Sequence, residues 1–129
     1  MIKYGFIKES DKDFEQVVEE VKENLKKEGF GVLTTIDIKE KFREKLGIDF
    51  KKYIILGACH PASALNAIEA EENIGLMLPC NVIVYEKDSK VAIAAIRPTA
   101  AMQMIDNEKL IKIAADVETK LKKAFDSLK

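Results

Sequence analysis

Apolar positions along the chain change period several times, and each change marks a boundary. Residues 2–8, with Tyr4, Phe6 and Ile7, read as a first strand ended by the capping signal Ser10-Asp11. From Asp11 the period lengthens. Phe14, Val17, Val18, Val21 and Leu25 recur at helical spacing, Ser10 stands as N-cap and Gly29 lies just past the end, so a helix is expected over 11–28. The β-branched run 30–36 is a second strand, after which Asp37 and Glu40 form a capping-box arrangement opening a short helix striped by Ile38, Phe42 and Leu46 and stopped at Gly47. Residues 53–59 are a nearly continuous apolar strand that turns at His60-Pro61.

Pro61 is pre-shaped for the first helical position and opens a short helix to about Glu71. Pro79 lacks an N–H donor and marks a strand's beginning or edge, so the regular strand starts at Cys80 or Asn81 and continues through 82–85. Lys87-Asp88-Ser89-Lys90 is a turn joining it to a strand over 91–96, an antiparallel hairpin ended by Arg97-Pro98. A last helix spans about 107–128, with Leu110, Ala114, Val117, Leu121, Phe125 and Leu128 on one stripe.

The resulting order is β-α-β-α-β-α-β-β-α, read as a sheet with helices largely on one face. At 129 residues, 47% apolar and 33% charged, the chain has the length and balance of one globular domain, 1–129. Its 21 basic and 22 acidic residues are interspersed, which argues against nucleic acid and membrane as partners. No apolar run approaches the ~18 residues needed to span a bilayer, and the first residues lack a secretory pattern, so a cytoplasmic location is expected.

Two cysteines are too few for a disulfide framework, and their positions matter more than their number. Cys59 stands at a strand end directly before a helix N-terminus, where backbone N–H groups and the helix dipole favour the thiolate. The turn Cys59-His60-Pro61-Ala62 resembles a thioredoxin-type active-site turn with its second cysteine replaced by Ala. Set against this is simple packing: free cysteines in apolar strands are most often small buried hydrophobes. If the strands ending at Cys59 and beginning near Cys80 are antiparallel neighbours, Cys59, His60, Cys80, Asn81 and Arg97 collect at one sheet edge; if parallel, the thiols lie at opposite edges.

Such a cluster could hold a soft metal ion on Cys59 and Cys80, or a small anion held by Arg97 and the helix N-terminus. Two Cys and one His fall one short of a closed structural zinc site. His60 is the sole histidine and thus the default acid/base at neutral pH. No Gly-rich phosphate loop, Ser-His-Asp order or paired carboxylates stand out, and no cofactor is evident. The charge-poor segment 98–105, with Met102 and Met104, is expected to be a homodimer contact or a mobile lid.

Three separated segments carry a family resemblance: Gly29-Phe30-Gly31-Val32-Leu33-Thr34 with Ile36-Asp37; Ile55-Leu56-Gly57-Ala58-Cys59-His60-Pro61; and Ile74-Gly75-Leu76-Met77-Leu78-Pro79-Cys80-Asn81-Val82 with Val84-Tyr85-Glu86. In this order they resemble the family called domain of unknown function 302. The resemblance implies an α+β fold of the TATA-binding-protein-like type, one antiparallel sheet of about five strands packed by helices, and a dimer. The family pattern falls on Cys59 and Pro61 and on Pro79, Cys80 and Asn81, while His60 stands where the family often has Asn. Three functional readings follow: a ligand-binding or thiol-sensing module using the Cys59/Cys80 edge, a homodimeric interaction protein with packed cysteines, and a redox or sulfur-transfer enzyme. The sequence leaves open whether the chain is an enzyme.

Overall fold

The computed structural model describes residues 2–129. Its elements are β1 (Gly5–Ser10), α1 (Phe14–Lys27), β2 (Gly31–Asp37), α2 (Ile38–Leu46), β3 (Tyr53–Cys59), α3 (Pro61–Ala70), a 3-10 turn (Glu72–Met77), β4 (Cys80–Lys87), β5 (Lys90–Ile96), α4 (Pro98–Ala101) and α5 (Glu108–Asp126). The five strands form one open sheet in the order β1-β5-β4-β3-β2, antiparallel at every pairing. The hairpin β4–β5 thus occupies the middle, and α1 connects the two edges. This is the α+β architecture expected from the element order.

Successive strand residues point to opposite faces, so register sorts the side chains. One row runs Phe6–Ala95–Val82–Leu56 and the next Lys8–Ile93–Val84–Ile54. These rows meet Val17, Val18, Val21 and Leu25 of α1 and Leu121, Ala124 and Phe125 of α5 in the main core. Each fully buried aliphatic there stabilises the fold by roughly 1.5–3 kcal/mol. Even Lys8 joins through its stem, with its ammonium reaching the Leu128 carbonyl at 2.7 Å. A smaller cluster of Ala67, Ile74, Met102, Leu110 and Ala114 lies between α3, α4 and α5.

Local signals around α2 act as read: Asp37 Oδ1 accepts the Glu40 N–H at 3.0 Å, and Gly47 ends α2 at φ 65°. Asn107, read as the first residue of the last helix, is its N-cap and accepts from the Leu110 N–H. One expectation changes. Ser10 does not cap α1: it is still in β1, paired with Val91, and its Oγ takes the Lys12 N–H while Asp13 becomes the N-cap. Segment 98–105 is partly packed: Pro98–Ala101 is helical, Pro98 and Met102 are buried, and Gln103 and Met104 are exposed, Met104 at 81%.

Candidate functional site

Where β3 ends and β4 begins, the sheet meets α3, α4 and α5 around a cavity of about 30 Å³. The geometry follows from the register: Ala58 pairs with Cys80, so the end of one strand lies beside the start of the other. The antiparallel alternative is therefore the one realised. Cavity walls are almost wholly hydrocarbon. Buried Phe30, Ala58, Ala67, Met102, Leu110 and Ala114 make the floor, and half-buried Cys59, His60 and Pro79 stand at the margin. At about twice the volume that admits one water, the space takes only a few heavy atoms.

Cys80 shares the helix-covered face with Ala58, and burial, reinforced by the nearby Cys59, pushes its thiol up to about 11. It is a neutral thiol at physiological pH. Cys59 has the opposite strand parity, alongside Gly57, and borders the cavity as the last residue of β3 while staying half-buried.

His60 is the N-cap residue of α3 without capping it through its side chain. Its Nδ1 lies 2.9 Å from the Ser63 hydroxyl, a hydrogen bond whose direction follows the tautomer, and its ring meets Phe30 edge-on at 5.4 Å. Gly29 makes that packing feasible. Its φ is +87°, and a Cβ there would stand 3.0 Å from His60 Nε2. Gly57 is constrained likewise, since a Cβ would collide with Thr34 Oγ1 and come within 2.8 Å of Pro79 Cγ. The imidazole is thus wedged between a glycine and a helix turn.

Three of the five residues singled out from sequence therefore meet here, and two do not. Asn81 follows Cys80 in an extended strand, so it faces the other side of the sheet, exposed. Arg97 reaches the same end of the sheet but turns away: its Nε donates to Glu118 Oε2 at 3.3 Å and its Nη1 to the Lys3 carbonyl at 3.0 Å. Without Arg97 the cavity has no cation to hold an anion. Among the described residues, no three His, Cys, Asp or Glu side chains gather closely enough to hold a metal ion.

The partners that sequence reading missed are Ser63 and Glu118. Ser63 sits three residues after His60 in the first helical turn, a spacing that could have suggested the contact. Glu118 left no local signal. It takes the Thr99 N–H at 3.0 Å, the Thr99 hydroxyl and Arg97, satisfying the N-terminus of α4 from nineteen residues away. Burial, the largest single influence, works to raise the Glu118 pKa, but the Thr99 and Arg97 hydrogen bonds together outweigh it and hold the carboxyl below its ordinary value.

An open five-stranded antiparallel sheet with helices over one face and a cysteine-bordered cavity at one end defines a small α+β class. Domain of unknown function DUF302 matches residues 6–128, and the chain belongs to this family. The crystal structure of an uncharacterized conserved DUF302 protein from Bacillus stearothermophilus is similar, at 31% identity, with 98% of each chain covered and a TM-score of 0.90. No curated protein matches. Among the described residues, no helix is long and apolar enough to cross a membrane.

Proposed function

We propose that the chain is a ligand-binding module whose ligand space is the cavity between the β3–β4 end, α3 and α5, and that it takes a small, uncharged, apolar or sulfur-containing molecule. The observation that carries this reading is a hydrocarbon cavity bordered by three sulfurs, those of Cys59, Cys80 and Met102, with the Cys80 thiol held neutral by burial. A neutral, polarisable wall favours dispersion and weak sulfur contacts over charge. An anion is disfavoured because Arg97 is engaged with Glu118, and a soft cation because it would need Cys80 as thiolate and a third donor. Redox or sulfur-transfer chemistry would have to use Cys59 as its attacking thiolate, since burial disfavours the Cys80 thiolate. Half-buried Cys59 is then the first sulfur an entering molecule meets.

Thermal unfolding in the presence of small probes tests this. Dimethyl sulfide and short alkanes should raise Tm by several degrees at concentrations far above Kd, where one-site binding adds about 2.7 kcal/mol at a hundredfold excess. Acetate and phosphate should not, and Ala67→Leu, which fills the space, should abolish the shift. If anions stabilise and neutral probes do not, this reading fails.

A further inference from the structure

One hydroxyl in the wall of the cavity is held differently from the hydrocarbon around it. Ser63 is 8% exposed, lines the cavity and lies 2.9 Å from His60 Nδ1. With the imidazole proton on Nε2, Nδ1 accepts and the Ser63 O–H donates, the pairing in which a serine oxygen is activated as a nucleophile. Packing fixes the ring in that pose. Phe30 meets it edge-on at 5.4 Å, and Gly29, where a Cβ would stand 3.0 Å from Nε2, leaves room for its far side. These contacts supply the orientation that a third hydrogen-bonding group gives a catalytic base elsewhere. The start of α3 adds donors. Pro61 has no N–H, and His60 does not cap the helix with its side chain, so the N–H groups of Ala62 and Ser63 stand without an intrahelical acceptor beside the hydroxyl.

We propose, resting on the cavity reading above, that Ser63 and His60 are a nucleophile and base that hydrolyse small neutral carboxylic esters whose acyl group fills the cavity. Ser63 Oγ bonds to the carbonyl carbon as its proton passes to His60 Nδ1, and the oxyanion so formed is met by the N–H groups heading α3. The bond from that carbon to the alkoxy oxygen then breaks, and the leaving alcohol takes the proton from His60. Water attacks acyl-Ser63 next and gives a proton to His60, which returns it to Ser63 Oγ as the carboxylic acid departs. Once ionised, the product is an anion in a hydrocarbon space from which Arg97 is drawn away by Glu118, so it is expelled. Volume sets the acyl length: about 30 Å³ takes an acetyl group and not a long chain.

Stopped-flow hydrolysis of p-nitrophenyl acetate by the unmodified protein tests the proposal, with acid-quenched protein read by fragment-ion mass spectrometry. A burst of nitrophenol and an acetyl group on Ser63 are expected, stable to neutral hydroxylamine as an oxygen ester is and a thioester is not. No acetyl group on Ser63, or one on Cys59 in its place, overturns the assignment. Ser63→Ala and His60→Gln should each slow turnover about a hundredfold with unchanged circular dichroism, and p-nitrophenyl hexanoate should react roughly tenfold more slowly than the acetate. A folded variant that keeps the wild-type rate also overturns it, and the position of the acetyl group on wild type decides the matter if either variant fails to fold. Dimethyl sulfide separates this site from the cavity beneath it. A Tm shift with no acetylation sinks only the Ser63 assignment, and the absence of both sinks the ligand-binding reading as well.

Discussion

The two faces of one sheet are built from nearly the same residue types and live in different surroundings. On the helix-covered face Leu56, Val84 and Ile93 are 0–1% exposed, and the strands end at a cavity walled by Cys80 and Ala58. On the other, Ile55, Ile83 and Ala94 lie one residue away along the same strands with no helix above them. The difference teaches that apolar strand residues are evidence of burial only once the covering element is known. The first face is covered by helices of its own chain, and the second is not.

Replacing neighbours that differ only in face should separate them most sharply. Leu56→Ala is expected to cost about 2–5 kcal/mol in denaturant unfolding, and Ile55→Ala well under half of that in dilute, monomeric protein. Equal losses would mean the outer face is already covered within the chain. The two thiols should differ as well. With its pKa near 11, Cys80 holds about a hundredfold less thiolate at neutral pH than an ordinary cysteine, so iodoacetamide should modify Cys59 first and Cys80 only after unfolding. Mass spectrometry of partially modified protein reads this directly.

Gly29→Ala should cost about 1–2 kcal/mol, because it combines a left-handed backbone with a Cβ pressed on His60, and the Phe30–His60 ring contact should loosen in the NMR spectrum. The smallest effect concerns the latch on α4. Glu118 has a depressed folded-state pKa, so its contribution is present above the ordinary carboxylate value and is lost as pH falls through the folded one. Glu118→Gln should lower stability by roughly 1 kcal/mol at pH 7 and flatten the acid limb of the stability curve. An unchanged acid limb would show that α4 is held by Pro98 and Met102 alone.

How far the sequence reaches can be seen in the same residues. Period and capping locate the strands and long helices because Asp37, Gly47, Asn107 and Pro61 act locally, within a helical turn. The meeting of Cys59 and Cys80 was legible only as one branch of a parallel-or-antiparallel alternative, since pairing is a long-range choice. Arg97 lies apart from the cavity because it pairs with Glu118, which is distant in sequence, and nothing near either residue announces the contact. Asn81 was grouped with Cys80 by adjacency, although adjacency in a strand means opposite faces. The row of Ile7, Ala94, Ile83, Ile55 and Ile36 on the uncovered face was invisible for a related reason: each strand contributes one member, and only register aligns them.

The most direct test of the account is methyl NMR of the protein under xenon pressure. A cavity that admits an apolar ligand should give saturable shifts at Ala58, Ala67, Met102 and Ala114, with none at Val21 and Leu121 around the smaller gap of about 10 Å³ beneath α1 and α5. Shifts that stay linear and spread evenly over both groups would contradict it, leaving Cys59 and Cys80 as packing residues.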